Sequence, residues 1–172
     1  MSDLDLIETE RLVLSGWRAD QLDDLVRLHG EPAVARYLGA DGRPWSREAC
    51  AAALADWMAL FASQRLGKLR VRRKADGVLV GRAGFGLYAP TGTPEIGYAL
   101  FPEHHGRGYA REAAAALRDW FFRDTAWQTF MGFADVRNAP SLRILAAIGM
   151  RETHVADHHG TPFRFHVLER PA

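Results

Sequence analysis

Apolar and polar positions change period along this chain, and the changes divide it into elements. Arg11-Leu-Val-Leu-Ser-Gly-Trp17 alternates with a period of two and predicts a strand. Leu22, Leu25, Val26 and His29 then recur at helical spacing behind Asp20, whose side chain suits a helix start. Pro32 fits the first turn of a second short helix carrying Val34, Tyr37 and Leu38, which ends in the turn-rich run from Gly39 to Pro44. Ser46 and Glu48 open a longer helix that places Cys50, Leu54, Trp57, Met58 and Phe61 on one face. That stripe reads as core, and Cys50 within it reads as a packed thiol rather than a nucleophile.

In the middle of the chain the period returns to two. Leu69 to Arg73 and Val78 to Leu87 alternate around Ala75-Asp76-Gly77, a hairpin signal, and Glu95 to Phe101 follows a loop rich in Pro, Gly and Thr. Three consecutive strands of this kind predict antiparallel pairing. Pro102 to Ala110 then leads directly into Arg111 to Phe122, whose Ala and Leu content favours helix. Phe130 to Val136 predicts another strand and Asn138 to Ile148 another helix, with Gly149 as its C-terminal cap. Met150 to His154 and Phe163 to Leu168 close the chain as strands. Antiparallel pairs followed by crossovers call for an α+β fold: a mixed, mostly antiparallel central sheet of about six to seven strands, flanked by helices.

Composition narrows the function classes. The 172 residues suit one domain, with no linker or repeat to divide residues 1–172. Lys and Arg number 22 against 21 Asp and Glu, a formal charge of +1, so no broad field attracts nucleic acid or an anionic membrane. Any anion site must be local. One cysteine excludes an intrachain disulfide, the start lacks the basic end and apolar run of a signal peptide, and no segment is long and apolar enough for a membrane span. These features set a cytoplasmic expectation.

The richest chemistry lies in His105-Gly-Arg-Gly-Tyr-Ala-Arg111, between a predicted strand and a predicted helix start. Glycines allow a tight turn that aims successive backbone N–H groups at one spot, where the positive end of the helix dipole also lies. The segment is therefore a candidate anion cradle, with Arg107 and Arg111 as local charge; a sharp turn with glycines kept for packing is the other reading. It lacks the glycine spacing and Lys-Ser/Thr of a nucleoside triphosphate loop. A dinucleotide fingerprint beginning at Gly106 would end on Arg111, too large for the helix packing that motif requires.

At this point the chain resembles the GNAT acyltransferase family, and within it the RimJ/RimL-like branch. The resemblance rests on Glu8-Thr-Glu-Arg-Leu-Val-Leu14, Gly77 to Gly84, Glu95-Ile-Gly-Tyr98, Pro102 to Ala110, and Asn138-x-x-Ser141 leading to Ile148-Gly-Met150. Gly108 and Ala110 fit the family loop pattern, while His105 stands where Gln, Arg or, in this branch, Trp is usual. The resemblance implies a GNAT-like fold and an N-acetyltransferase that takes acetyl-CoA as co-substrate and acetylates a primary amine by direct attack in a ternary complex. It implies that His105, Gly106, Arg107, Gly108, Tyr109, Ala110 and Arg111 bind the pyrophosphate, chiefly through backbone N–H groups. Tyr98, Ala99 and Leu100 would run beside the pantetheine like an added strand, and the N–H near Leu100 would polarise the thioester carbonyl. The two central strands, residues 95–101 and 129–136, would splay to admit it.

Acetyl transfer to an amine also needs a proton acceptor and a proton for the departing thiolate. Ser141, three residues after Asn138, is the candidate acid by resemblance, and Asn138 a candidate contact to CoA. Asn138 can equally be a helix cap with Pro140 and Ser141 in its first turn. Many family members place a Tyr seven residues after the Asn, where this chain has Leu145. Glu95 is the first candidate base, Asp135 the second, and solvent alone the third. The histidines 104, 105, 154, 158, 159 and 166 lack a spacing that completes a metal shell, so no metal is expected. Trp17, Tyr37, Trp45 and the loop 39–44 are candidates for the acceptor side. The acceptor itself stays open between a ribosomal or other protein N-terminus and a small molecule, and a homodimer is compatible with all of this. A non-catalytic acyl-CoA-binding protein of the same fold is the alternative function, and a phosphate-binding dehydrogenase domain the third.

Overall fold

A computed structural model describes residues 4–38, 41–158 and 160–172. The first three residues, Gly39 and Ala40 of the turn-rich loop, and His159 among the histidines lie outside the described residues. The chain begins with two strands, β1 (Asp5–Glu8) and β2 (Leu12–Ser15), and three helices, α1 (Leu22–Gly30), α2 (Pro32–Ala35) and α3 (Arg47–Gln64). The strands β3 (Gly67–Arg73), β4 (Leu79–Tyr88) and β5 (Thr93–Leu100) follow. The remainder is α4 (Tyr109–Asp124), β6 (Thr129–Asp135), α5 (Ala139–Ala147), β7 (Arg151–His158) and β8 (Thr161–Glu169).

Local chemistry explains most boundaries. Ser46 caps α3 by accepting a hydrogen bond from the Ala49 N–H at 3.1 Å, and the helix ends at Arg65, whose φ of 58° is left-handed. At the β3–β4 turn Asp76 Oδ1 accepts from the Val78 N–H at 3.2 Å and Gly77 takes a φ of 71°, the conformation a hairpin of this kind requires. Two expectations change. The sheet has eight strands rather than six or seven, because β1 pairs with β2 through a segment whose only core residue is Ile7, too short to show alternation. The second helix stops at Ala35, leaving Tyr37 and Leu38 in a turn beside the cavity described below.

Sheet order is β1-β2-β3-β4-β5-β6-β8-β7, and every neighbouring pair is antiparallel except β5 and β6. Helix α4 covers one face over Leu14, Leu69, Phe85 and Ile96, contributing Ala113, Leu117, Trp120 and Phe121 to the largest core cluster. The other face is closed by α1 to α3, through Leu28 and Val34 over Ala99 and through Leu25, Cys50 and Leu54 around Trp17. Cys50 is fully buried, and burial pushes its thiol up and away from thiolate. No helix among the described residues is long and apolar enough to cross a membrane.

Phe85 is the hinge of the main core, within 4.6 Å of the Phe121 ring and 5.2 Å of Phe130 between centroids. Phe85→Ala removes a fully buried ring from a layer that rigid helices cannot close. Urea unfolding of this variant is expected to show a loss of about 3–5 kcal/mol.

Candidate active site

The site begins where the sheet comes apart. Strands β5 and β6 share a single register pair, Glu95 with Met131. Beyond Glu95 the strands β4 and β5 stay paired to Gly81 and Leu100, while β6 turns to β8. The Phe101 N–H donates to Val80 O at 3.0 Å, so antiparallel alternation turns the N–H groups of Tyr98 and Leu100 away from β4, toward the gap. The His105 ring bonds through Nε2 to Leu100 O at 2.9 Å, which satisfies a carbonyl that has lost its strand partner.

The glycine loop stands at the open end of this gap. Gly106 and Gly108 have φ of 71° and 80°, both left-handed, and Gly108 is the N-cap of α4 without any side-chain cap. The first backbone bond of the helix is from the Glu112 N–H to Gly108 O, and no backbone N–H from Gly106 to Arg111 finds a protein acceptor among the described residues. Six consecutive donors are thus left for an anion, at the positive end of a helix of 16 residues.

A tether from the other end of the chain holds this loop. Glu112 Oε1 accepts from Thr9 Oγ1 at 2.6 Å and from the Arg11 N–H at 2.9 Å, while Oε2 accepts from Arg11 Nε at 2.7 Å. Arg11 Nη1 also donates to Arg107 O at 3.0 Å, and its guanidinium lies 4.6 Å from the Tyr109 ring centre. Burial opposes the charge on Glu112, and these hydrogen bonds overcome it, holding the carboxyl below its usual range. Sequence reasoning missed the tether because its partners are about a hundred residues apart.

The gap opens on a cavity of about 470 Å³ lined by Glu95, Tyr98, Asn138, Ser141 and Leu145, with Tyr37, Trp45, Phe133 and Phe163 as aromatic walls. Asn138 caps α5, accepting from the Ser141 N–H at 3.3 Å. Ser141 Oγ donates to the Tyr98 hydroxyl at 3.2 Å, and that hydroxyl donates to Ser141 O at 2.9 Å. Burial raises the Tyr98 phenol well above its ordinary value, a shift that the Ser141 bond only partly offsets, so it stays protonated at neutral pH. Sequence reasoning placed Tyr98 as a backbone contact; its hydroxyl against Ser141 was legible only in the fold.

The two candidate bases differ sharply. Glu95 Oε2 accepts from Lys68 Nζ at 2.9 Å, and its Oε1 has no protein donor among the described residues. Asp135 is buried and accepts from the Arg137 N–H at 2.8 Å, Nε at 2.9 Å and Nη2 at 2.6 Å; it does not line the cavity. Trp17 lies in the core, its Nε1 donating to Lys68 O at 2.8 Å, and takes no part in the lining. His154 and His158 sit on β7, and no group of three metal-ligating side chains forms among the described residues.

The model of the acetyltransferase (GNAT) domain family matches residues 11–151. The chain belongs to the GNAT acetyltransferase family. Its relatives include the uncharacterized N-acetyltransferase YnaD of Bacillus subtilis (strain 168), 32% identical over 84 residues, a match spanning about half of each chain (49%). A GNAT acetyltransferase structure from Bacillus anthracis superposes with a TM-score of 0.80 at 22% identity, over 95% of this chain and 98% of the other. RimL, the ribosomal L7/L12 alpha-N-protein acetyltransferase solved in complex with coenzyme A, superposes with a TM-score of 0.78 at 15% identity, covering 94% and 95%. The mostly antiparallel eight-stranded sheet of this chain, with its flanking helices, matches the fold of GNAT acetyltransferase structures over nearly the whole chain.

One histidine of this GNAT domain sets a pH dependence. His29 is fully buried, stacked 3.9 Å from Trp45, and burial followed by the charge of Arg82 pulls it down to about 2. Its folded pKa lies below its unfolded value, so the unfolded chain binds the extra proton and stability falls as pH drops below about 6.5. Between pH 7 and 5.5 the loss from this group is expected to be about 1 kcal/mol. Urea unfolding at the two pH values checks it, with His29→Gln flattening the difference.

Proposed function

We propose that this chain is an acetyl-CoA-dependent N-acetyltransferase that acetylates a primary amine by direct attack in a ternary complex. The observation that carries the reading is the run of six N–H groups from Gly106 to Arg111, unpartnered among the described residues, at the mouth of the β5–β6 gap. Such a row suits the diphosphate of CoA, and the gap suits its extended pantetheine arm, to which Tyr98, Ala99 and Leu100 offer a strand edge. RimL, of nearly the same fold, was solved with coenzyme A, and the ordered motifs from Glu8 to Met150 support membership of the RimJ/RimL-like branch.

Acetyl-CoA would supply an activated acyl carbon and a thiolate leaving group. The chain's own residues then have four tasks. The N–H of Leu100 points into the gap as an oxyanion donor to the thioester carbonyl. The cavity holds the amine so that its nitrogen forms the new C–N bond as the C–S bond breaks. Glu95 Oε1 takes the ammonium proton through water, since Oε2 is occupied by Lys68. Ser141 Oγ swings its proton from the Tyr98 hydroxyl to the leaving sulfur, while the second proton shed by the acylated nitrogen passes to solvent, from which Ser141 recovers its own.

Two variants separate binding from turnover. Gly108→Glu puts a carboxylate in the cradle at a left-handed position, and acetyl-CoA affinity by calorimetry is expected to fall by roughly tenfold or more. Ser141→Ala is expected to lower kcat by about 10²-fold with acetyl-CoA affinity nearly unchanged. Equal turnover would remove Ser141 from the scheme. Binding of acetyl-CoA without release of CoA thiol, across amines and peptide N-termini, would leave a non-catalytic acyl-CoA binder.

A further inference from the structure

Alternate residues of β3, β4 and β5 put Lys68, Arg70, Arg72, Arg82 and Glu95 on the sheet face that α1 to α3 cover. Arg70 and Arg82 are direct cross-strand neighbours, an arrangement that costs stability unless the charges are answered. Three of the four cations are answered. Arg72 pairs with Asp5 at 3.1 Å, Arg70 with Asp24 at 2.7 Å and Lys68 with Glu95 at 2.9 Å.

Arg82 is the exception. It is 5% exposed, and among the described residues no carboxylate pairs with it. Its hydrogen bond runs from Nε to the neutral His29 Nε2 at 3.3 Å, and its guanidinium carbon lies 5.3 Å from the Trp57 ring centre. Both terminal nitrogens lack a protein acceptor among the described residues, and the side chain lines the same 470 Å³ cavity as Glu95 and Ser141. Burial lowers the guanidinium to about 10 against the raising charge of Glu95, which touches it through no hydrogen bond and is itself paired with Lys68, so Arg82 stays charged at neutral pH. A buried cation with no carboxylate in direct contact is costly to keep, a cost that a Leu or Met of similar size would avoid. Held through Nε by the imidazole and placed beside the indole, with its two terminal nitrogens unpartnered among the described residues, it offers the fork that carboxylate and phosphate oxygens fit.

We propose that Arg82 binds an anionic oxyacid group, carboxylate or phosphate, carried by the amine that this enzyme acetylates. The inference rests on the N-acetyltransferase reading and names the acceptor class for the same cavity. Glu95 Oε1 faces the amine and Arg82 the acid, so the cavity is polarised for a compact zwitterion. The aromatic walls Tyr37, Trp45, Phe133 and Phe163 take whatever apolar body joins or extends them.

Matched probes test this on the full chain loaded with CoA: L-phenylalanine against L-phenylalaninamide, and O-phosphoethanolamine against ethanolamine, by calorimetry. In at least one pair the acid-bearing member is expected to bind roughly 10- to 100-fold more tightly, and which pair discriminates tells carboxylate from phosphate. Arg82→Gln should erase the difference and Arg82→Lys keep part of it, with acetyl-CoA affinity unchanged in both. Equal binding within both pairs, no binding of any probe, or discrimination that survives Arg82→Gln would overturn the proposal. If Arg82→Gln fails to fold, the wild-type pairs and Arg82→Lys still decide. Thiol release from acetyl-CoA is followed in parallel with the same amines. Discrimination without turnover counts against the acetyltransferase reading alone; turnover without discrimination counts against the anion site alone.

Discussion

The single register pair between β5 and β6 is the constraint on which the rest of the structure depends. Two strands of one sheet that part company leave a row of backbone groups without strand partners, and an interior gap of that kind must be offset by other elements. His105 answers Leu100 O, and α5 seals the far wall with Leu145 and Ile148. Gly132 shows how tightly β6 and α5 are drawn together: a Cβ there would come within 3.0 Å of both Ile96 Cγ2 and Leu145 Cδ2. The gap is therefore a built feature, wide on one side because the other is packed without slack.

Charge in this protein is arranged locally, and the formal total conceals the arrangement. A net +1 gives no long-range pull on any polyanion. The cradle at residues 106–111 adds six N–H dipoles that no charge count includes, and the sheet face behind the cavity adds a guanidinium without a carboxylate partner among the described residues. The two lie on different sides of the gap, one at its mouth and one behind β5. On the proposed reading, a donor's diphosphate and an acceptor's acid group would be held without competing for the same site.

What the sequence made legible follows from the range of the interactions concerned. The β3–β4 hairpin, the Ser46 cap of α3 and the Asn138 cap of α5 each depend on contacts within three residues, and all three are readable from residue type and order. The glycine loop was readable for the same reason. By contrast, the Thr9–Arg11 tether to Glu112, the Tyr98 hydroxyl on Ser141 and the Arg82–His29 pair join residues 43 to 103 positions apart. Periodicity assigns each of these residues to a face but cannot say what the face meets. Trp57 illustrates the limit: the helical stripe puts it in the core, yet it stays half-buried and lies against Arg82 beside the cavity.

The same distinction separates the two carboxylates that sequence reasoning left in competition. Asp135 is answered by its own turn, where Arg137 supplies three hydrogen bonds from two residues away, and the Arg137 bonds hold the carboxyl below its usual range. A carboxylate so completely satisfied has little capacity left for an ammonium proton. Glu95 is answered from 27 residues away, by a Lys68 side chain that reaches across β4 over Gly84 and Gly97. A Cβ at Gly97 would come 2.6 Å from Lys68 Nζ, so the glycine keeps that path open. Lys68 fixes one oxygen of Glu95 and leaves the other without a protein donor among the described residues, which orients the candidate base without exhausting it. Burial pulls the Lys68 ammonium down and the Glu95 charge opposes that pull, so the carboxylate offsets part of the cost of burying the cation.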